Sequence, residues 1–214
     1  ESMVTTLLSL RADPNVATKD GGTALMKAAV KGNVEVIEKL LAGKADPNAH
    51  QRDGNTALMA ACLNNQPYVV NVLLEHKCDP NMKKDGNTAL MECAWKGLDS
   101  MVDVLLKAKA DPNVKSEGTD GGYCAMLRAT VKGHGPVIER LLKANADPRT
   151  ADNRGWTCLM EAALQGNESL ITLLLEAGCD PERRSKDGNT ALHIAEKGGH
   201  KKVIGLLRSK TDRD

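Results

Sequence analysis

The sequence predicts an all-α solenoid of helix-turn-helix units joined by β-hairpin-like loops, and three observations carry that prediction. An Asp-Pro pair recurs at Asp13-Pro14, Asp46-Pro47, Asp79-Pro80, Asp111-Pro112, Asp147-Pro148 and Asp180-Pro181, with spacings of 33, 33, 32, 36 and 33 residues. A second phrase runs between those marks: GTALMKAA from 22, NTALMAAC from 55, NTALMECA from 87, YCAMLRAT from 123, WTCLMEAA from 156 and NTALHIAE from 189. A unit of this length cannot bury its own apolar face, so successive units must stack side by side into one continuous core.

Each element of the unit has a local cause. Thr23, Thr56, Thr88, Thr157 and Thr190 can cap a helix start with their hydroxyls, and the Ala and Leu that follow favour helix. Cys124 breaks that series. Gly32, Gly97, Gly133, Gly166 and Gly199 suit the left-handed position that ends a short helix, with Asn65 as the substitute in one unit. A second helix follows, with an apolar stripe such as Val34, Ile37, Leu40 and Leu41 on one face. The Asp-Pro is expected to stop it, and Asp53-Gly54-Asn55, Asp85-Gly86-Asn87 and Asp187-Gly188-Asn189 read as tight turns.

The motif D-G-x-T-A-L-x-x-A-A-x-x-G, followed by L-L-x-x-x-A-D-P-N, resembles the ankyrin repeat over essentially the whole chain. It departs from the family's TPLH phrase in placing Ala at the Pro position and Met at the His position, the His surviving only as His193. The register predicts one domain over 1–214. It holds a partial repeat at 1–18, repeats at about 19–51, 52–83, 84–119, 120–152 and 153–185, and a C-terminal repeat at 186–214. MVTTLLSLRADPN aligns with VIEKLLAGKADPN, so the partial repeat is a second helix, and Met3, Val4, Leu7 and Leu8 are expected to leave an apolar face open. That face leads us to expect further chain before Glu1. His200, Lys201, Lys202, Arg208, Lys210 and Arg213 make the last helix and tail basic.

Composition narrows function. The net charge of +1, with no continuous basic stripe, argues against a nucleic-acid reader. No apolar run approaches the roughly 18 residues of a membrane helix, so no membrane insertion is expected. The six cysteines, Cys62, Cys78, Cys93, Cys124, Cys158 and Cys179, occupy small-residue positions of the repeat and form no C-x-x-C pair. They read as buried free thiols in a reducing, intracellular and cytoplasmic setting. The five histidines are scattered among different repeats, unlike a metal-ligand cluster. Glu92 and Glu161 occupy equivalent positions in different repeats, too far apart for joint acid-base work, and no phosphate-binding glycine motif is present. Gly118-Thr119-Asp120-Gly121-Gly122 is glycine-rich but lacks a following Lys. No cofactor, metal or catalytic residue is expected.

The family resemblance implies a protein partner, bound on the concave side by the hairpin tips and by exposed positions of each first helix. On the helices these are Val30, Lys31, Leu63, Trp95, Lys96, Val131, Lys132 and Leu164, with Arg128 adding to a basic edge. The hairpin position before the Thr slot adds Tyr123 and Trp156, so three of the four aromatics face the partner and Tyr68 does not. An indole overpacks a slot that elsewhere holds Val or Asn, whereas Trp at an interface centre contributes strongly to binding. The aliphatics either pack between helices or face the partner. The hairpin-tip cations Arg52, Lys83, Lys84, Arg154, Arg183, Arg184 and Lys186 either serve solubility or meet an acidic segment. Residues 115–119 lengthen one hairpin next to Tyr123. The implied function is a non-catalytic protein-interaction scaffold. Two alternatives are a regulatory or substrate-recruiting domain of a larger enzyme, channel or ligase, and a structural subunit of a large assembly.

Overall fold

The structure, a computed structural model, describes residues 3–117 and 121–211. Its helices alternate between two kinds. In chain order they are α1 (Met3–Ser9), α2 (Ala24–Lys31), α3 (Val34–Ala42), α4 (Ala57–Leu63), α5 (Pro67–Glu75), α6 (Ala89–Lys96), α7 (Asp99–Lys107), α8 (Ala125–Val131), α9 (Gly135–Lys143), α10 (Cys158–Gln165), α11 (Glu168–Glu176), α12 (Ala191–Gly198) and α13 (Lys201–Thr211). Even-numbered helices begin the unit and odd-numbered ones close it.

Two compact units divide the chain. Unit 1 comprises the chain up to Cys93 together with Asp103–Ala110; unit 2 comprises Ala94–Val102 and the chain from Asp111 onward. Within unit 1, α2 packs on α4 and α3 on α5, while each first helix packs on its own second helix. Within unit 2, α8, α10 and α12 form the same row, and α11 packs on α13. The cores are aliphatic and alanine-rich. Leu25, Leu58, Met59 and Leu73 are buried in unit 1, and Met126, Leu127, Ile138, Ile171 and Leu174 in unit 2. Truncating one of these leucines to Ala costs about 2 to 5 kcal/mol, because the alanines around it cannot close the cavity.

Every Thr cap forms as the sequence predicts. The N–H of Met26, Met59, Met91, Met160 and His193 donates to the hydroxyl of Thr23, Thr56, Thr88, Thr157 and Thr190 at 3.2 to 3.4 Å. Cys124 starts α8 with no side-chain cap. His193 stays local: its Nδ1 meets the Thr190 hydroxyl at 2.7 Å and completes a capping box.

The second helices end differently from the expectation. They stop before the Asp-Pro, at a left-handed residue two positions ahead of the Asp: Arg11, Lys44, Lys77, Lys109, Asn145 and Gly178. The aspartate then closes the following turn, accepting from the N–H two residues on, as Asp46 does from Asn48 at 2.9 Å and Asp147 from Arg149 at 2.9 Å.

One hairpin forms a two-residue antiparallel ladder, Lys83–Lys84 with Asn87–Thr88, and two others close by single bridges, His50 with Thr56 and Ala151 with Thr157. Neighbouring hairpins are hydrogen-bonded to one another within each unit: Asp85 N–H to Asp53 O (2.9 Å) in unit 1, Lys186 N–H to Arg154 O (2.9 Å) in unit 2. That approach dictates Gly54, whose φ is +85° and where a Cβ would stand 2.1 Å from the Lys83 carbonyl oxygen.

At the start of the chain Met3 and Leu7 are exposed, with Val4 and Leu8 half-buried. Ala24 is likewise exposed, although its counterparts Ala57, Ala89, Ala125, Cys158 and Ala191 are buried. In the last helix Lys201, Lys202, Arg208 and Lys210 are exposed, while Arg213 lies outside the described residues.

Candidate functional site: the aromatic and cationic face of unit 2

Helical spacing aims Arg128 and Lys132, four residues apart in and just after α8, in the same direction. They converge on Trp95. The Lys132 ammonium sits 4.1 Å from the indole centroid and the Arg128 guanidinium carbon 5.8 Å from it. Both separations fall in the range where a cation is drawn to the face of an aromatic ring. The Trp95 carbonyl accepts a hydrogen bond from His134 Nε2 at 3.2 Å, which fixes the end of α6 against the start of α9. Trp95 is half-buried and Lys96 is exposed.

The hairpin of the next repeat builds a second indole. Buried Asp152 accepts from the Trp156 N–H (2.8 Å), from Arg154 N–H (2.8 Å) and from Arg154 Nε and Nη2 (3.0 and 2.9 Å). So anchored, Arg154 donates to the Tyr123 hydroxyl (3.3 Å) and places its guanidinium 6.0 Å from the Trp156 ring centroid. Trp156 Nε1 donates to Glu161 Oε2 (3.0 Å), and Gln165 Nε2 donates to Glu161 Oε1 (2.8 Å) and to the carbonyls of Thr130 (3.0 Å) and Val131 (3.1 Å). Trp156 is therefore held by its own fold. The chain of bonds ties α10 to the end of α8.

The flanking segment is ordered in the same way. Ser116 N–H donates to Tyr123 O (2.8 Å), Tyr123 N–H to Ser116 Oγ (3.1 Å), and Lys115 Nζ to Ala151 O (3.0 Å). Gly118, Thr119 and Asp120, the middle of the lengthened hairpin and of the glycine-rich stretch, lie outside the described residues. Leu164 is 52% exposed on the same helix as Glu161, while Val131 is half-buried.

Unit 1 carries the remaining first-helix positions. Val30 and Lys31 are exposed beside an open cavity of about 450 Å³ that Lys27 and Val36 also line, and Leu63 is half-buried. Of the hairpin-tip cations, Lys84 pairs with Asp53 (3.2 Å), whose carboxyl is held below its ordinary range, chiefly by the Asn55 N–H. Lys83 is half-buried and Arg52 exposed. In unit 2, Arg183 and Arg184 donate to the backbone carbonyls of Arg149 (3.1 Å) and Gly188 (2.9 Å), and Lys186 is exposed. Several of these cations serve their own hairpins.

Asp152 and Gln165 organise the face although neither stands out in the sequence. The signal for Asp152 is positional: four residues ahead of the variable hairpin slot, Thr18, Asp152 and Ser185 each offer an oxygen to that slot's N–H. Tyr68 is the other surprise. It is 78% exposed on α5, in a slot held elsewhere by Glu35, Ser100, Pro136, Ser169 and Lys202.

All six cysteines are free and buried. Burial pushes the Cys78 and Cys179 thiols up to about 12, and Cys124 and Cys158 also rise through burial. The hydrogen bond that the Cys62 thiol makes to Cys93, with burial, raises Cys62. Such thiols stay protonated and inert at neutral pH. No group of three His, Cys, Asp or Glu side chains among the described residues is placed to hold a metal ion. No described helix is long and apolar enough to cross a membrane.

Comparisons agree with the geometry. The ankyrin-repeat family model, in three copies, matches residues 1–84, 39–116 and 120–214. No curated protein sequence matches the chain. The crystal structure of EF0377, an ankyrin repeat protein, superposes with a TM-score of 0.80 at 24% identity, covering 90% of this chain and 98% of that one. The ankyrin repeat domain of Bcl-3, described as a unique member of the IkappaB protein family, superposes with a TM-score of 0.87 at 23% identity, covering 96% of this chain and 90% of that one. Those likenesses show the fold, and the family match, which spans nearly every repeat, makes this chain a member of the ankyrin-repeat family.

Proposed function

We propose that the chain is a non-catalytic protein-interaction module whose partner segment lies on the first-helix and hairpin face of unit 2. Ankyrin repeats are in general protein-interaction modules, and the location within this one rests on a single observation. The slots that vary between repeats carry Trp95, Tyr123 and Trp156 in unit 2, each braced by Arg or Lys into a fixed orientation. Rigid aromatic groups with amphipathic edges supply contact area at low cost in conformational entropy, and Trp and Arg dominate interface energetics. Exposed Leu164 extends the apolar area, while Lys96 and Lys132 supply a rim that favours acidic residues in the partner.

The test is capture of partners by wild type, by a Trp95→Ala, Trp156→Ala variant, and by Leu164→Glu. The last touches none of the network bonds and leaves folding intact. Loss of the same partners with both variants, at unchanged melting behaviour of Leu164→Glu, supports the reading; retention by Leu164→Glu and by the double variant removes it. A second reading, the structural subunit of an assembly, draws on exposed Tyr68, which offers an aromatic anchor on a second helix. Partners lost on Tyr68→Ala alone would favour it.

A further inference from the structure

In the loops that follow three of the second helices, an asparagine joins its repeat to the next. Asn15 donates to the Lys44 carbonyl (3.2 Å) and accepts from the Asp46 N–H (2.7 Å). Asn48 accepts from the Asp79 N–H (2.7 Å), and Asn113 donates to Asn145 O (3.5 Å) and accepts from the Asp147 N–H (2.8 Å). In the following repeat the position is Arg149, and a guanidinium has donors but no acceptor. Arg149 keeps the donor half of the contact, Nε to Gly178 O at 3.3 Å. The acceptor half is lost, so the Asp180 N–H has no hydrogen-bond partner among the described residues.

A cavity of about 330 Å³ lies there, lined by Arg149, Arg183, Thr157, Gly178 and Asp180. Arg183 is held in place by its bond to the Arg149 carbonyl, and neither guanidinium is ion-paired with a carboxylate among the described residues. The two nearby aspartates are each engaged in their own turns: Asp147 Oδ1 takes the Arg149 N–H and Asp180 Oδ1 the Glu182 N–H, both at 2.9 Å. The site therefore sets a backbone N–H with no protein acceptor among the described residues beside two guanidinium groups, where Asn15, Asn48 and Asn113 complete the equivalent contact with an oxygen.

We propose that this cavity binds an oxyanion, the carboxylate or phosphate of a partner segment, whose oxygen answers the Asp180 N–H while Arg149 and Arg183 hold it by charge-assisted bonds. This site is separate from the aromatic face and does not depend on it.

The test titrates the chain with inorganic phosphate and, separately, with acetate at constant ionic strength, following the Asp180 amide by proton–nitrogen NMR. The expected result is a saturable downfield shift with at least one ion and a dissociation constant of about a millimolar. Saturation by phosphate alone assigns a phosphorylated residue, and saturation by acetate assigns a carboxylate. Arg149→Asn, which restores the residue of the other repeats, fills the acceptor position itself and abolishes saturation without lowering the melting temperature. Arg183→Gln weakens binding about tenfold. A shift that stays linear with both ions in the wild type, or a saturable one that survives in Arg149→Asn, overturns the site.

Discussion

The hairpin of residues 51–55 in unit 1 and that of 152–156 in unit 2 occupy equivalent positions in their repeats and close with opposite charge. In unit 1 an exposed Asp53 caps the Asn55 N–H (2.9 Å) and pairs with Lys84. In unit 2 the equivalent position is Arg154, and the cap has moved two residues back to Asp152, whose side chain is 2% exposed. That exchange turns a small polar hairpin into a mount for an indole, with the backbone turn preserved. The difference shows how a repeat fold separates its duties: glycines, Thr caps and aliphatic stripes hold the scaffold, and a few slots are rebuilt around a new side chain.

The largest expected effect is one the two units share. Cys78 in unit 1 and Cys179 in unit 2 fill the same small-residue slot, and burial raises both thiols from 9.0 to about 12. A thiol with a raised folded value contributes stability in full below the unfolded value and loses it as pH rises through the folded one. The melting temperature should therefore hold to about pH 9 and fall steeply between 9 and about 12, by calorimetry, with Cys78→Ala and Cys179→Ala each flattening the fall.

Smaller effects separate the hairpins. Asp152→Ala strands the Trp156 and Arg154 N–H groups and should cost about 2 to 3 kcal/mol in urea unfolding, whereas Asp53→Ala, at an exposed pair, should cost below about 1 kcal/mol. Asp53 has a lowered pKa, so its contribution is present above the ordinary value of 3.8 and disappears as pH falls through the folded one. Trp156→Phe keeps the ring but loses the bond to Glu161, for about 1 kcal/mol. Lys132→Ala removes one cation from the Trp95 face, worth about 0.5 to 1 kcal/mol, and should shift the indole fluorescence. Equal costs for the two aspartate variants would dissolve the contrast between the hairpins.

Most of the scaffold is legible in the sequence because it is repeated. The Thr caps and the left-handed Gly or Asn after each first helix recur at fixed offsets, and the thiols fall in small-residue slots, so position in the repeat predicts environment. The end of the second helix was harder to read. A left-handed Lys44 or Lys77 carries no glycine signal, and the nearby Asp-Pro looks like the stop. The aromatic slots are legible in the sequence, and the bonds that hold their side chains are not. Trp156 stands out by its slot, but its partner Glu161 reads as an isolated carboxylate and Asp152 as an ordinary loop residue, because their meeting depends on how the hairpin folds back over α10. The sequence places Tyr68 near the start of a second helix, and its exposure is a finding of the structure. Its neighbours in the repeat alignment, Glu, Ser, Pro and Lys, were the available clue.

The proposed meeting of partners with the first-helix and hairpin face of unit 2 is open to a direct test. The most direct measurement places a photo-crosslinking residue at position 95, 156 or 68 in turn and compares the adducts formed with a captured partner. Strong crosslinks from 95 and 156 and none from 68 are expected. Crosslinks from 68 with silence at 95 and 156 would contradict the proposal.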